Sequence, residues 1–115
     1  MSDFDWNISQ GASDSLEIEI LNEEGVAVDI TGSTIYFTVK KDDSDVTAAI
    51  AKEITAHTDA VNGKSSLEIS SADTDIAKAM YLYDLVIVFL SGERQELIPP
   101  SLFNITSSLK EVANA

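Results

Sequence analysis

Hydrophobic positions in this chain recur every second residue more often than every third or fourth, the period of half-buried strands. The clearest run is residues 33–40, where Ile35, Phe37 and Val39 share one face and Tyr36, Thr38 and Lys40 the other. Residues 15–21 alternate likewise, Leu16, Ile18 and Ile20 against Glu17 and Glu19. Asn22-Glu23-Glu24-Gly25 then signals a turn. Residues 26–30 can form a short extended piece before Thr31-Gly32 bends the chain into the strong strand. Residues 41–45 read as a charged loop. Residues 47–55 carry both signals, because Ala48, Ala49, Ala51, Lys52 and Glu53 favour helix while Ile50 and Ile54 suit a strand. The surrounding pattern selects the strand.

Further along, Asn62-Gly63 predicts a type I′ hairpin leading into a strand over 66–70 with Leu67 and Ile69 inward. Residues 71–77 predict one or two helical turns, with a serine cap and aspartates at the positive end of the dipole. Residues 80–90 are the longest apolar element and predict a central strand. Tyr81, Tyr83, Leu85, Ile87 and Phe89 line one face, and Met80, Leu82, Val86, Val88 and Leu90 the other, broken only by Asp84. Ser91-Gly92 turns the chain and residues 94–98 run back. Pro99-Pro100 should interrupt ladder pairing before a last strand near 102–105. With residues 1–14 as an N-terminal arm and 107–115 as a tail or short helix, about seven short strands predict one all-β domain. The expected architecture is an antiparallel β-sandwich with one short helix.

Charge narrows the partners. Twenty acidic residues against seven basic ones leave a net charge of -13, a field that repels phosphate backbones and anionic lipid, so neither nucleic acid nor membrane is expected. With no cysteine, disulfides and thiolate metal sites are ruled out. The acidic N-terminal residues do not resemble a signal peptide, and residues 85–90 are too short an apolar run to span a bilayer. Synthesis in the cytoplasm is the expectation. Asn7-Ile8-Ser9 and Asn104-Ile105-Thr106 match a glycosylation pattern, read here as coincidence.

The inventory of reactive groups is thin. His57, the only histidine, lies in a polar stretch and reads as an exposed loop residue, leaving any metal site to carboxylates. Gly63-Lys64-Ser65 imitates the end of a phosphate-binding loop, but Thr58 replaces the earlier glycine and a strand follows. Asp42-Asp43-Ser44-Asp45 and Asp73-Thr74-Asp75 lack the glycine and distal glutamate of a calcium loop. No catalytic, metal or cofactor site is expected. Two surface candidates remain. Trp6, Tyr36, Tyr81 and Tyr83 could form an aromatic platform for a sugar or a protein, although most of them fit core or core-edge positions. Met80, Leu82, Val86, Val88 and Leu90 form a candidate partner interface, because the solvated face of a sheet should be polar. Either a neighbouring segment or another protein covers them.

Several motifs also resemble a known family. Residues 22–37, with Asp29-Ile30-Thr31-Gly32 at their centre, are similar to the opening of small phage virion domains. Asn62-Gly63-Lys64, Leu67-Glu68-Ile69, Asp73-Thr74, Ile76-Ala77 and Tyr81-Leu82-Tyr83-Asp84-Leu85 resemble their second block, and Gln10-Gly11 the lead-in to their first strand. The family includes the N-terminal domain of phage baseplate upper proteins and related tail or head-associated proteins. The resemblance implies an immunoglobulin-like sandwich, a place in the virion among other virion proteins, and repeated copies or a homo-oligomer. It carries no catalytic residue. Ile98-Pro99-Pro100-Ser101 departs from the family pattern. A non-enzymatic structural module is the expected function, and a host-surface carbohydrate-binding or adhesion module is the alternative.

Overall fold

A computed structural model of the chain describes residues 5–41 and 47–106. The segments 107–115 and 42–46, read above as a tail and most of a charged loop, lie outside the described residues. Seven strands occur in the order β1 (Trp6–Ser9), β2 (Asp14–Glu19), β3 (Thr34–Lys40), β4 (Ile50–Ile54), β5 (Lys64–Ile69), β6 (Ala79–Val88) and β7 (Arg94–Thr106). Five of them form one sheet in the order β1-β7-β6-β3-β4, and β2-β5 forms the second. The order β7-β6-β3-β4 facing β2-β5 is the GFCC′ and BE arrangement of an immunoglobulin-like sandwich.

One pairing is not antiparallel. β1 runs parallel to β7, Trp6 beside Phe103 and Ser9 beside Thr106. Part of the expected N-terminal arm is therefore a strand, held because Trp6 reaches the core and Ile8 is buried. The core lies between the sheets, built from the inward positions the alternation identified: Ile18 on β2, Ile35, Phe37 and Val39 on β3, Leu67 and Ile69 on β5, and Leu85 and Ile87 on β6.

Three local expectations are revised. Pro99-Pro100 interrupt the ladder pairing as expected, but no separate strand begins after them, for β7 runs on over thirteen residues. Tyr83 pairs with Ser101 and Leu85 with Ile98, so the two prolines oppose Asp84 alone, in a bulge where no ladder N–H is required. The Ser101 hydroxyl donates to the Pro99 carbonyl at 2.8 Å, satisfying an acceptor there. Residues 71–77 form turns rather than a helix. Ser70 and Asp73 bond each other's backbone N–H reciprocally, and Thr74 donates its hydroxyl to the Ala12 carbonyl at 2.6 Å, so side chains replace a helical ladder. The short helix is instead a 3-10 turn, Ala60–Asn62.

Asn62-Gly63 also differs from expectation. The turn closes only one rung, Asp59 against Lys64, because β4 and β5 belong to different sheets. Gly63 has a positive φ of 72°. A Cβ there would lie 2.6 Å from the carbonyl oxygens of both Ile20 and Val28. No side chain fits such an approach. Residues 26–30 form no full strand but are bridged at Leu21 and Ala27, donate the Val28 N–H to Ile20 and the Ile30 N–H to Ala60, and bury Ile30 in the core; they end in an Asx turn in which the Asp29 carboxylate accepts the Thr31 N–H and hydroxyl.

The connection into β6 is pinned by a tyrosine corner. The Tyr81 hydroxyl donates to the Ala77 carbonyl, four residues upstream, at 2.6 Å. Tyr81→Phe should lower unfolding free energy by about 0.5–1.5 kcal/mol, since a part-buried hydrogen bond is lost while packing is retained; urea denaturation measures this.

The two sheets are also tied along one open side. Lys52, on edge strand β4, pairs with Asp73 at 2.8 Å. Desolvation pushes the Asp73 carboxyl upward, but the Lys52 bond, two bonds from Ser70 and the Lys52 charge outweigh it, so its pKa lies below the ordinary carboxylate value. A depressed folded value stabilises above the unfolded pKa of about 3.9, and that contribution is lost as pH falls through the folded value. Asp73→Asn should cost up to about 1 kcal/mol at pH 6. The difference from the parent protein should shrink as pH falls below about 4 in a denaturation series.

Candidate docking face

The inward and outward sides of β6 sort the candidate residues into different fates. Tyr81 and Tyr83 point inward and are buried, and Trp6 packs against Phe37, Tyr83 and Phe103 with ring centroids 5.4–5.9 Å apart. Burial, and then the Asp5 charge, push the Tyr83 hydroxyl pKa upward, keeping it neutral. Three of the four residues proposed as an aromatic platform are therefore core. Their positions follow strand alternation, which sends residues 81 and 83 to the same face as Leu85. Only Tyr36, 37% exposed, remains on the surface.

The outward side of β6 is different. Tyr36 pairs with Val86, Thr38 with Asp84 and Lys40 with Leu82 across the β3–β6 ladder. Val86 pairs with Glu96 and Val88 with Arg94 on the β7 side. All of these except Glu96 line a groove of about 510 Å³ on the outer face of the five-stranded sheet, with Pro100 of the bulge closing one flank. Val86 is only 4% exposed, crowded by Tyr36 and its strand neighbours, whereas Leu82 and Val88 are half-buried. Met80 (63%) and Leu90 (78%) lie open at either end. Leu90 sits beyond the end of β6, in the turn to β7, so it belongs to the rim and not to the strand face. The five candidate interface residues thus divide into a floor of Leu82, Val86 and Val88 and two separated outliers.

Charges on this face are arranged around the groove. Lys40 and Arg94 stand at its two ends, beside Leu82 and Val88. Asp84 lies between, and Glu96 and Glu53 flank the Val86–Tyr36 pair. Asp84 is half-buried, yet among the described residues its carboxylate forms no ion pair or hydrogen bond. At the β1 edge the two glycosylation-like asparagines meet, Asn104 Nδ2 donating to Asn7 Oδ1 at 2.7 Å.

His57 is not an exposed loop residue. It is half-buried and bridges the sheets, its Nδ1 2.9 Å from Ser65 Oγ on β5 and its Nε2 2.8 Å from the Ser33 carbonyl before β3. A carbonyl only accepts, so Nε2 carries the hydrogen and, in the neutral ring, Nδ1 accepts from Ser65. This serine–histidine pair resembles a catalytic dyad in connectivity, but Ser65 is 1% exposed, so a substrate has no route to its Oγ. Sequence reading missed this tie because Ala56 and Thr58, the neighbours of His57, are polar or small and show no periodicity. Among the described residues, no group of three His, Cys, Asp or Glu side chains is placed to hold a metal ion.

No family model matches the chain, and no curated protein matches it.

His57→Ala should destabilise the domain by about 2–3 kcal/mol, because it leaves a buried hydroxyl and a carbonyl unpaired. In the Ser65→Ala background the same change should cost at least 0.5 kcal/mol less, by about the coupling expected of contacting residues. A double-mutant cycle in guanidinium chloride measures both numbers.

Proposed function

We propose that this domain is a non-enzymatic assembly module that binds other proteins through the outer face of its five-stranded sheet. The observation that carries this reading is the apolar groove of Leu82, Val86, Val88, Tyr36 and Pro100 on a face that solvent alone would keep polar. A groove of this kind, ringed by charges, has the anatomy of a protein interface: an apolar centre and a polar rim.

The virion is the setting we propose for that binding, as part of a tail, baseplate or head-associated structure of a tailed-phage or prophage particle and in repeated copies. Support comes from the motif resemblance and from the positions those motifs occupy. Gln10 Nε2 donates to the Ile76 carbonyl and the Gly11 N–H to the Thr74 carbonyl, so two separated stretches of the resemblance meet in space. The carbohydrate-binding alternative needs a platform of exposed rings. With Trp6, Tyr81 and Tyr83 in the core, that reading retains Tyr36 alone.

Val88→Lys places a charge on the half-buried floor at the end of the groove. The variant should fold with unchanged circular dichroism and lose incorporation into particles at least ten-fold, measured by quantitative mass spectrometry of purified virions. Absence of the parent protein from the particles would remove the virion setting. Incorporation of Val88→Lys at the parent level would remove the docking face.

A further inference from the structure

The apolar groove defines where a partner docks; the charges around it define what kind. We propose that its occupant is an extended or loop segment of a different protein that presents a basic side chain, an arginine or lysine flanked by apolar residues, to Asp84 and Tyr36. This inference rests on the docking reading above.

Three observations converge on that occupant. The first is Asp84. Among the described residues its carboxylate has no ion pair or hydrogen bond, so it is free to take a charge-assisted bond from a cation that a docking protein delivers. Its strand neighbours do not supply that cation. Thr38 and the prolines of the bulge sit opposite it, and Lys40, beside Leu82, forms no ion pair with it. The second is Tyr36. It is paired with Val86 next to Asp84, and its partly exposed ring offers a π face to a guanidinium or ammonium. The third is the surrounding charge. Glu53 and Glu96 flank the centre of the groove, while Lys40 and Arg94 stand at its two ends. The middle of the groove is therefore anionic.

The same arrangement argues against a second copy of this chain. Each copy carries a net charge of -13, so two approaching copies repel at long range. A two-fold axis through the groove centre would also set Asp84 against Asp84. A basic partner instead gains from steering by the whole acidic molecule and meets its counter-charge at Asp84, between the two cationic ends of the groove.

The test uses three peptides, Ac-Thr-Val-Xaa-Val-Thr-NH₂ with arginine, glutamine or glutamate at Xaa, titrated into the intact ¹⁵N-labelled protein. The arginine peptide should shift the amides of Tyr36, Asp84 and Val86, bind at least five-fold more tightly than the glutamine peptide, and weaken as salt is raised. In Asp84→Asn, with the rest of the spectrum unchanged, that preference should fall five-fold or more. Equal binding of all three peptides, or an arginine preference that survives Asp84→Asn, overturns the cationic partner and leaves the docking face standing. Lack of response in the groove to any peptide overturns this proposal. The docking face itself stands or falls separately, by the Val88→Lys incorporation measurement.

Discussion

Four aromatic rings, one from each of four neighbouring strands, hold the register of the larger sheet. Trp6 on β1, Phe103 on β7, Tyr83 on β6 and Phe37 on β3 lie in strand order, and all six ring pairs have centroids within 6.0 Å at tilted or edge-on angles. Each such pair contributes roughly 0.5–1.5 kcal/mol beyond its buried area. Slipping any one strand by a single residue would turn its ring to the outer face and remove it from three contacts at once. Tyr83 stands two residues after the corner tyrosine, where antibody domains place a disulfide cysteine. That disulfide ties one sheet to the other, whereas these four rings all belong to the five-stranded sheet and tie its own strands together. Their packing also accounts for β1, a four-residue strand too short to be secured by its ladder alone.

Everything outward follows from that inward commitment. Because Tyr83 and Leu85 must face the core, Asp84 must face out, between Leu82 and Val86, and the prolines opposite it widen the ladder there. The second sheet has only two strands, so it depends on ties across the core: the His57 bridge from Ser65 to Ser33 and the Lys52–Asp73 pair. Lys52 has a second effect. An inward-pointing charge on an edge strand discourages another chain from adding to that edge.

The alternation of residues 33–40 and 80–88 was sufficient to place β3 and β6 and their inward faces, because a buried face leaves a period-two record in sequence. The bulge left no such record. Pro99-Pro100 is an interruption by local rules, and only the long partner β6 shows that the strand resumes on the same path. Residues 71–77 read as helix for a related reason, since serine, aspartate and threonine side chains such as Ser70, Asp73 and Thr74 satisfy backbone groups in caps and turns alike. Trp6 and the tyrosines stood open between platform and core because an aromatic side chain has the same sequence signature inside and outside; parity with Leu85 along β6 is the signal that places Tyr81 and Tyr83 inside. Short motifs such as Asp29-Ile30-Thr31-Gly32 and Asn62-Gly63 turn out to be backbone requirements, an Asx turn and a close approach to two carbonyls.

The parallel pairing of the first and last strands also sets how the domain bears load. Tension that reaches the domain ahead of β1 and leaves it beyond β7 pulls these two strands along their length in opposite directions. Trp6–Phe103 through Ser9–Thr106 are then strained together, in shear, instead of peeling apart one rung at a time. The wedge of Trp6 among three other rings adds resistance at the point where sliding would begin. A domain strung in line between two larger bodies would yield late and all at once, the mechanical behaviour of a rivet and not of a zip.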